Sequence, residues 1–253
     1  VRVQLQPAYL LHRRPYRDNS DLLDVFTAEY GLLGIVARGM GRKRRGGTLA
    51  AVLQPFRPIL LSFSGRGDLQ TLTGAELATA AQALHGEALL SALYLNELLQ
   101  RLLQRGEAQA QLFVAYGAVL ENLVQASGRQ ALQRCLREFE FTLLELLGYA
   151  VDLRHDAEQG RPFDNDSVYQ LIPEHGFVPL HGVADGAPGY RGADLIAIGE
   201  GRVEDASVAA KQIVRQLLQP HLGARPVRSR GMFIADSKAS EQTAPTNFGA
   251  REY

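Results

Sequence analysis

The chain has 253 residues, enough for one large or two to three small domains with an ample core. Its composition is ordinary for a soluble globular protein, with 46% hydrophobic and 21% charged residues, and no apolar run approaches a membrane span. The formal charge is zero but uneven: residues 1–81 hold eleven Lys/Arg against six Asp/Glu, and the remainder is acidic by the same margin. A basic N-terminal module on a body with other duties is the reading this suggests. No secretory signal is visible, and the lone Cys135 excludes an internal disulfide and fits a reducing cytoplasm.

The first 80 residues alternate in the strand manner. Tyr9–Pro15 reads as a strand running into a turn, Asp21–Thr27 as a second, and Glu29–Gly31 as the corner into a third, Leu32–Ala37. Phe56–Phe63, the turn Ser64-Gly65-Arg66-Gly67-Asp68, and Leu69–Leu72 read as a last hairpin. Val52–Leu61 is read as extended throughout. About five short strands suit a small closed barrel, and the OB-fold fits best. Such barrels lay a single strand along a basic groove, with aromatic faces for the bases. Arg13, Arg14, Arg17, Arg38, Arg42, Lys43, Arg44, Arg45, Arg57 and Arg66 supply candidate charge. Tyr9, Tyr16, Phe26, Tyr30, Phe56 and Phe63 are the candidate rings. Most of those rings are expected in a core. Tyr16, among Arg13, Arg14 and Arg17, is the preferred stacking residue.

The densest charge lies in Arg38-Gly39-Met40-Gly41-Arg42-Lys43-Arg44-Arg45-Gly46-Gly47, five cations among four glycines with no acid. Such a loop either grips a polyanion or merely solvates. Gly41 to Thr48 also has the glycine spacing of a P-loop. Gly47 stands where the phosphate-gripping Lys belongs, which removes nucleotide hydrolysis.

From Gly74 the spacing becomes helical. Leu89–Leu103 is leucine-rich nearly all round, as in a helix buried at the centre of a bundle. Two amphipathic helices follow. One carries Leu112, Phe113, Tyr116, Val119, Leu120, Leu123 and Val124 on a face and ends at Ser127-Gly128; the other carries Leu132, Cys135, Leu136, Phe139, Thr142, Leu143, Leu146 and Leu147 and ends at Gly148. Cys135 is expected as a core thiol. Beyond Gly148 the chain is polar and irregular, with a short hairpin at Val168–Ile172 and Gly176–Val178 and a helix over Ala206–Leu218. Arg225, Arg228 and Arg230 form a second basic cluster. His155, Asp156 and Glu158 lie together in a loop expected to face water, without the spacing of a zinc helix. No nucleophile elbow, cysteine pair or dinucleotide fingerprint appears, so neither an enzyme nor a cofactor is expected.

Several runs together resemble the bacterial recombination mediator family RecO. They are Tyr9-Leu10-Leu11-His12-Arg13-Arg14-Pro15-Tyr16, Leu23–Thr27, Val36-Ala37-Arg38-Gly39, Leu53-Gln54-Pro55-Phe56, Tyr94-Leu95-Asn96-Glu97-Leu98, Phe139-Glu140, Leu146-Leu147-Gly148-Tyr149, Pro220-His221-Leu222-Gly223 and Arg228-Ser229-Arg230. The resemblance spans nearly the whole chain in order. It implies an α+β protein: an OB-fold β-barrel over 1–80, then an all-α helical domain over 81–238 with a small irregular, β-containing insertion at about 150–190. A disordered tail over 239–253 is expected. It further implies binding of single- and double-stranded DNA, strand annealing, contact with the C-terminal tail of single-strand DNA-binding protein (SSB), and work with RecR to load RecA, in the cytoplasm at the nucleoid. The resemblance aligns Arg137 with the family's tail contact, with Leu136 and Tyr116 as candidate pocket walls. Many members carry a four-cysteine zinc site after the segment matching Leu147-Gly148-Tyr149; this chain has no cysteine there, so no zinc is expected. A general nucleic-acid-binding OB module without mediator activity, or an interaction adaptor, are the alternatives.

Overall fold

The computed structural model describes residues 2–17, 20–39, 43–44, 47–67, 69–79, 83–180, 189–223 and 225–229. Arg42, Arg45, Arg230 and the tail expected at 239–253 lie outside the described residues.

The alternating N-terminal sequence folds into β1 (Arg2–Tyr16), β2 (Ser20–Thr27) and β3 (Gly31–Arg38). A two-residue hairpin follows, β4 (Lys43–Arg44) with β5 (Gly47–Thr48), then a single helical turn, α1 (Leu49–Val52), and the strands β6 (Pro58–Ser64) and β7 (Leu69–Leu77). The barrel closes in the order β1-β2-β3-β7-β6. Its pairings are antiparallel except β3 with β7, which join over Gly34–Val36 and Leu69–Thr71. This is an OB-type barrel. Leu10, Leu23, Val25, Ile35, Ile59, Leu61 and Phe63 fill it.

α1 departs from the extended reading of Val52–Leu61. Leu49 and Leu53 stand four apart on one face of a helical turn and enter the barrel core, and Leu53 N–H closes onto the Leu49 carbonyl at 2.9 Å. Ala50 and Ala51 between them favour that turn. The extended pattern resumes only at Pro58.

The body begins with α2 (Gly86–Leu102), α3 (Ala110–Gln125) and α4 (Gly128–Leu146). Leu95, Leu98 and Leu99 of α2 are fully enclosed, and Cys135 is packed in the core as its helical position predicts. A three-stranded sheet follows in the order β10-β8-β9, made of β8 (Val168–Ile172), β9 (Gly176–Pro179) and β10 (Gly189–Arg191). α5 (Gly192–Gly199) and α6 (Ser207–Leu218) complete the described chain. Gln216 of α6 ties the sheet down: its amide donates to the Leu171 carbonyl at 2.9 Å and its carbonyl accepts from Tyr190 Oη at 3.0 Å.

One face of the barrel joins the core of the body. Tyr9, Phe26 and Leu32 are successive cross-strand neighbours on β1, β2 and β3. That row packs against the helices. Tyr9 lies 5.2 Å from Phe113 and 5.0 Å edge-on from Tyr116, and Phe26 is 5.4 Å from Phe113. Such tilted pairs contribute about 0.5–1.5 kcal/mol each beyond their buried area.

Polar contacts fix the register of this junction. The β1–β2 ladder slips between Leu10 and His12. This bulge releases the Leu11 carbonyl, which accepts from Asn96 Nδ2 at 2.9 Å. Asn96 Oδ1 in turn accepts from the buried Tyr116 hydroxyl. Nearby, Arg105 pairs with Asp24 Oδ1 at 2.5 Å, and Gly106 N–H donates to the Leu32 carbonyl at 3.1 Å. The α2–α3 connection therefore runs along the start of β3. Gly31 is needed there: its φ is +61°, and a Cβ would stand 1.8 Å from the Glu107 carbonyl oxygen.

Candidate nucleic-acid interface

The register divides the basic residues of the barrel between its two ends. Arg38 lies opposite Ser20, and Ser20 opposite Tyr16. Tyr16, Arg17 and Arg38 therefore share one end, and the Lys43–Thr48 hairpin follows from there. Ser64 lies opposite Arg2, which puts Arg66, in the β6–β7 turn, at the other end. Arg17 thus belongs to the loop after the first barrel strand and Arg66 to the loop between the last two. In OB-folds an oligonucleotide crosses the second and third strands between these two loops.

The candidate cations are not equivalent. Arg13 is engaged by Asp21, with Nε at 3.1 Å and a terminal nitrogen at 2.9 Å from Oδ2, which leaves it less free for a phosphate. Arg14, Arg17, Arg38 and Arg66 are exposed, and no ion pair among the described residues holds them. Arg57 is half-buried beside the Pro58–Tyr9 pairing. Lys43 and Arg44 form the first strand of the hairpin, while Arg42 and Arg45 lie outside the described residues.

The aromatic candidates sort more sharply. Tyr9 and Phe26 belong to the barrel–body junction. Phe63 is in the barrel core with Tyr30 edge-on at 5.7 Å. Phe56 packs against the body. Tyr16 alone among the six joins neither described core, and the Arg17 guanidinium sits 5.1 Å from its ring centroid. A ring with one face under a neighbouring guanidinium can offer the other to a base.

The second basic cluster hangs on α2. Glu97 accepts from the backbone N–H groups of Arg228 and Ser229, each at 2.9 Å, and from Ser229 Oγ at 2.7 Å. Arg101, one turn on, pairs with Glu97 and donates to the carbonyls of Arg225 at 2.6 Å and Pro226 at 2.8 Å. Arg225 and Arg228 themselves are exposed. Burial alone would raise the Glu97 pKa; the donors from Ser229, Arg228 and Arg101 outweigh it and hold the carboxyl below its ordinary range. Glu97 and Arg101 were not among the sequence candidates. The available signal was a polar Asn96-Glu97 pair inside a helix otherwise apolar nearly all round. Two quoted motifs meet again where Tyr149 stacks on His221 at 3.6 Å.

The three tail-contact candidates fare differently. Tyr116 is completely enclosed, its hydroxyl spent on Asn96, so it forms no open pocket wall. Leu136 is buried in the core. Arg137 keeps 13% of its side chain exposed and pairs at 2.8 Å with Glu140, a fully buried carboxylate that also accepts from Tyr94 Oη at 2.5 Å. The guanidinium is thus mostly buried and is held by the carboxylate beneath it.

The loop at Arg154–Pro162 is more ordered than its polarity implies. Asp156 is buried and does not face water. Its carboxylate accepts N–H bonds from Gln159 at 2.6 Å, Arg161 at 2.9 Å and Glu158 at 3.0 Å, closing the turn. The Gln159 bond leads in holding its pKa below the ordinary aspartate range. Oxygens spent on backbone donors do not fit a zinc ligand, and among the described residues no group of three or more His, Cys, Asp or Glu is placed to hold a metal. A carboxyl with a lowered native pKa stabilises the fold above the ordinary aspartate range, and that contribution disappears as pH falls through the native pKa. Asp156→Asn should therefore lower the thermal midpoint at neutral pH and flatten its decline on acidification, as differential scanning calorimetry at pH 7 and pH 3 would read.

Barrel and helical body define an OB-fold protein with exposed cations at both ends of the barrel, and no helix among the described residues is long and apolar enough to cross a membrane. The family model described as "Recombination protein O N terminal" matches residues 3–81, and "Recombination protein O C terminal" matches residues 84–231. The chain belongs to the RecO family of DNA repair proteins. It is 46% identical over 236 residues to the DNA repair protein RecO of Nitrosococcus oceani, covering 92% of this chain and 93% of the relative. It is 41% identical to that of Methylococcus capsulatus, covering 93% and 95%. Identity to RecO of an Escherichia coli strain (E24377A) is 40%, covering 90% and 93%.

Proposed function

We propose that this chain is a non-enzymatic recombination mediator, acting in the cytoplasm at the nucleoid. It binds single- and double-stranded DNA through the barrel, anneals complementary strands, contacts the SSB tail, and with RecR assists the loading of RecA. The observation that carries this reading is the OB-type barrel with exposed arginines in the β1–β2 and β6–β7 loops, none of them in an ion pair among the described residues, in a chain of the RecO family. Phosphate contacts of this kind give affinity that tolerates any sequence and weakens steeply with salt. Annealing follows when backbone charge on two strands is neutralised together while the bases remain free to pair. For the tail, an acidic peptide ending in a carboxylate suits the guanidinium of Arg137. Domain limits near residue 80 and a helical body to about 238 are part of the same proposal.

The test is annealing of complementary oligonucleotides coated with SSB, run beside SSB lacking its C-terminal tail. The expected result is fast annealing with intact SSB and little with the truncated form. Equal rates on both would leave a general DNA-binding module. Tail binding without DNA affinity would leave an adaptor.

A further inference from the structure

We infer that Glu97 is a positioning residue for DNA binding, holding residues 225–229 against α2 as a basic arm; this rests on the reading of Arg225 and Arg228 as phosphate contacts. The two arginines reach solvent from a segment with little packing of its own: Val227 and Ser229 are its buried residues, and Arg225, Pro226 and Arg228 are exposed. Its backbone is anchored from two sides. Arg101 holds the carbonyls of Arg225 and Pro226, and Glu97 holds the N–H groups of Arg228 and Ser229 with the Ser229 hydroxyl. Glu97, 131 residues before Arg228, therefore supplies the acceptor for both of these backbone donors. Arg101 links the two anchors by pairing with Glu97.

The neighbouring side chain on α2, Asn96, bonds the bulge carbonyl of Leu11. One turn of one helix thus fixes both the barrel strand leading to Arg13, Arg14 and Tyr16 and the arm bearing Arg225 and Arg228. Two basic surfaces more than 200 residues apart in sequence are held in register by adjacent residues of α2.

This role separates from simple electrostatics by sign. Glu97 is an acid beside a DNA-binding surface, so removing its charge without moving the arm strengthens binding. Removing it as an anchor weakens binding. The experiment is single-strand affinity against salt for Glu97→Gln, Arg225→Ala/Arg228→Ala, and the triple variant, with trypsin cleavage of the Arg228–Ser229 bond in wild type and Glu97→Gln as a second readout. Two lost phosphate contacts reduce the salt slope by about 1.4 and the affinity at 0.15 M salt by about tenfold. Glu97→Gln should reproduce that loss, add nothing to the double variant, and speed cleavage after Arg228. Tighter or unchanged binding by Glu97→Gln, or a loss additive with the double variant, overturns the inference. If the double variant binds normally, the arm is no DNA contact and the underlying reading falls instead.

Discussion

Asn96→Ala is expected to destabilise the protein by about 3 kcal/mol, because it leaves two buried polar groups without partners at about 1–3 kcal/mol each. Tyr116 is completely enclosed and its hydroxyl donates to Asn96 Oδ1. The Leu11 carbonyl, freed from the ladder by the β1 bulge, accepts from Asn96 Nδ2. Gln100 reaches that carbonyl at 3.4 Å and recovers part of one bond. Nothing described replaces Asn96 at the Tyr116 hydroxyl. For a chain of this size, the loss amounts to a fall in thermal midpoint of roughly 6–12 °C. Barrel and body share this junction, so the wild type should unfold in one transition and the variant should split or broaden it.

A double-mutant cycle with Tyr116→Phe checks the mechanism. Alone, Tyr116→Phe orphans Asn96 Oδ1. In the Asn96→Ala background it removes a hydroxyl that is already orphaned, and should cost little or stabilise. A coupling of about 1 kcal/mol or more is expected for groups in one buried network. Additive losses would show that the two side chains do not act as a pair.

What the sequence shows of this fold tracks how local each signal is. Alternation exposes β1, β2 and β3, and the 3.6-residue stripes of α3 and α4 give their buried faces nearly residue by residue. Both periods repeat within a few residues of chain. β10 and α5 are hidden, because they fall in the stretch beyond Gly148 that reads as polar and irregular. Their glycines serve approach instead: a Cβ on Gly192 would meet the Asp164 carbonyl oxygen at 1.7 Å, and one on Gly199 the Leu153 carbonyl oxygen at 2.3 Å. Composition identifies the cations of the candidate interface but not their partners, so Arg13 and Arg14 look alike until Asp21 claims one. The aromatic residues behave the same way. Only the cross-strand row Tyr9–Phe26–Leu32 reveals that two of the rings face the helices, while Tyr16 stays outside both cores. Glu97 is the extreme case, since its partners lie 131 and 132 residues further on.

Replacing Arg42, Lys43, Arg44 and Arg45 together with alanine should weaken single-strand binding by about two-hundredfold at 0.15 M salt. Four phosphate contacts at roughly 0.7 counterions each reduce the salt slope by about 2.8, and that exponent sets the loss. The chain reaches this run from Arg38, at the barrel end shared with Tyr16 and Arg17, and Lys43–Arg44 is strand-paired with Gly47–Thr48. An all-Gln version keeps polarity and removes only charge, so equal losses in the two variants assign the effect to phosphate neutralisation. Normal affinity with a normal slope would return the loop to plain solvation. A second measurement distinguishes holding from annealing. With protein in excess, so that each strand is bound despite the weaker affinity, annealing should still be slow, because the surplus cations that capture a second strand are gone. Recovery of the full annealing rate at saturation would mean that the loop serves affinity alone, and that the strands are brought together by another surface.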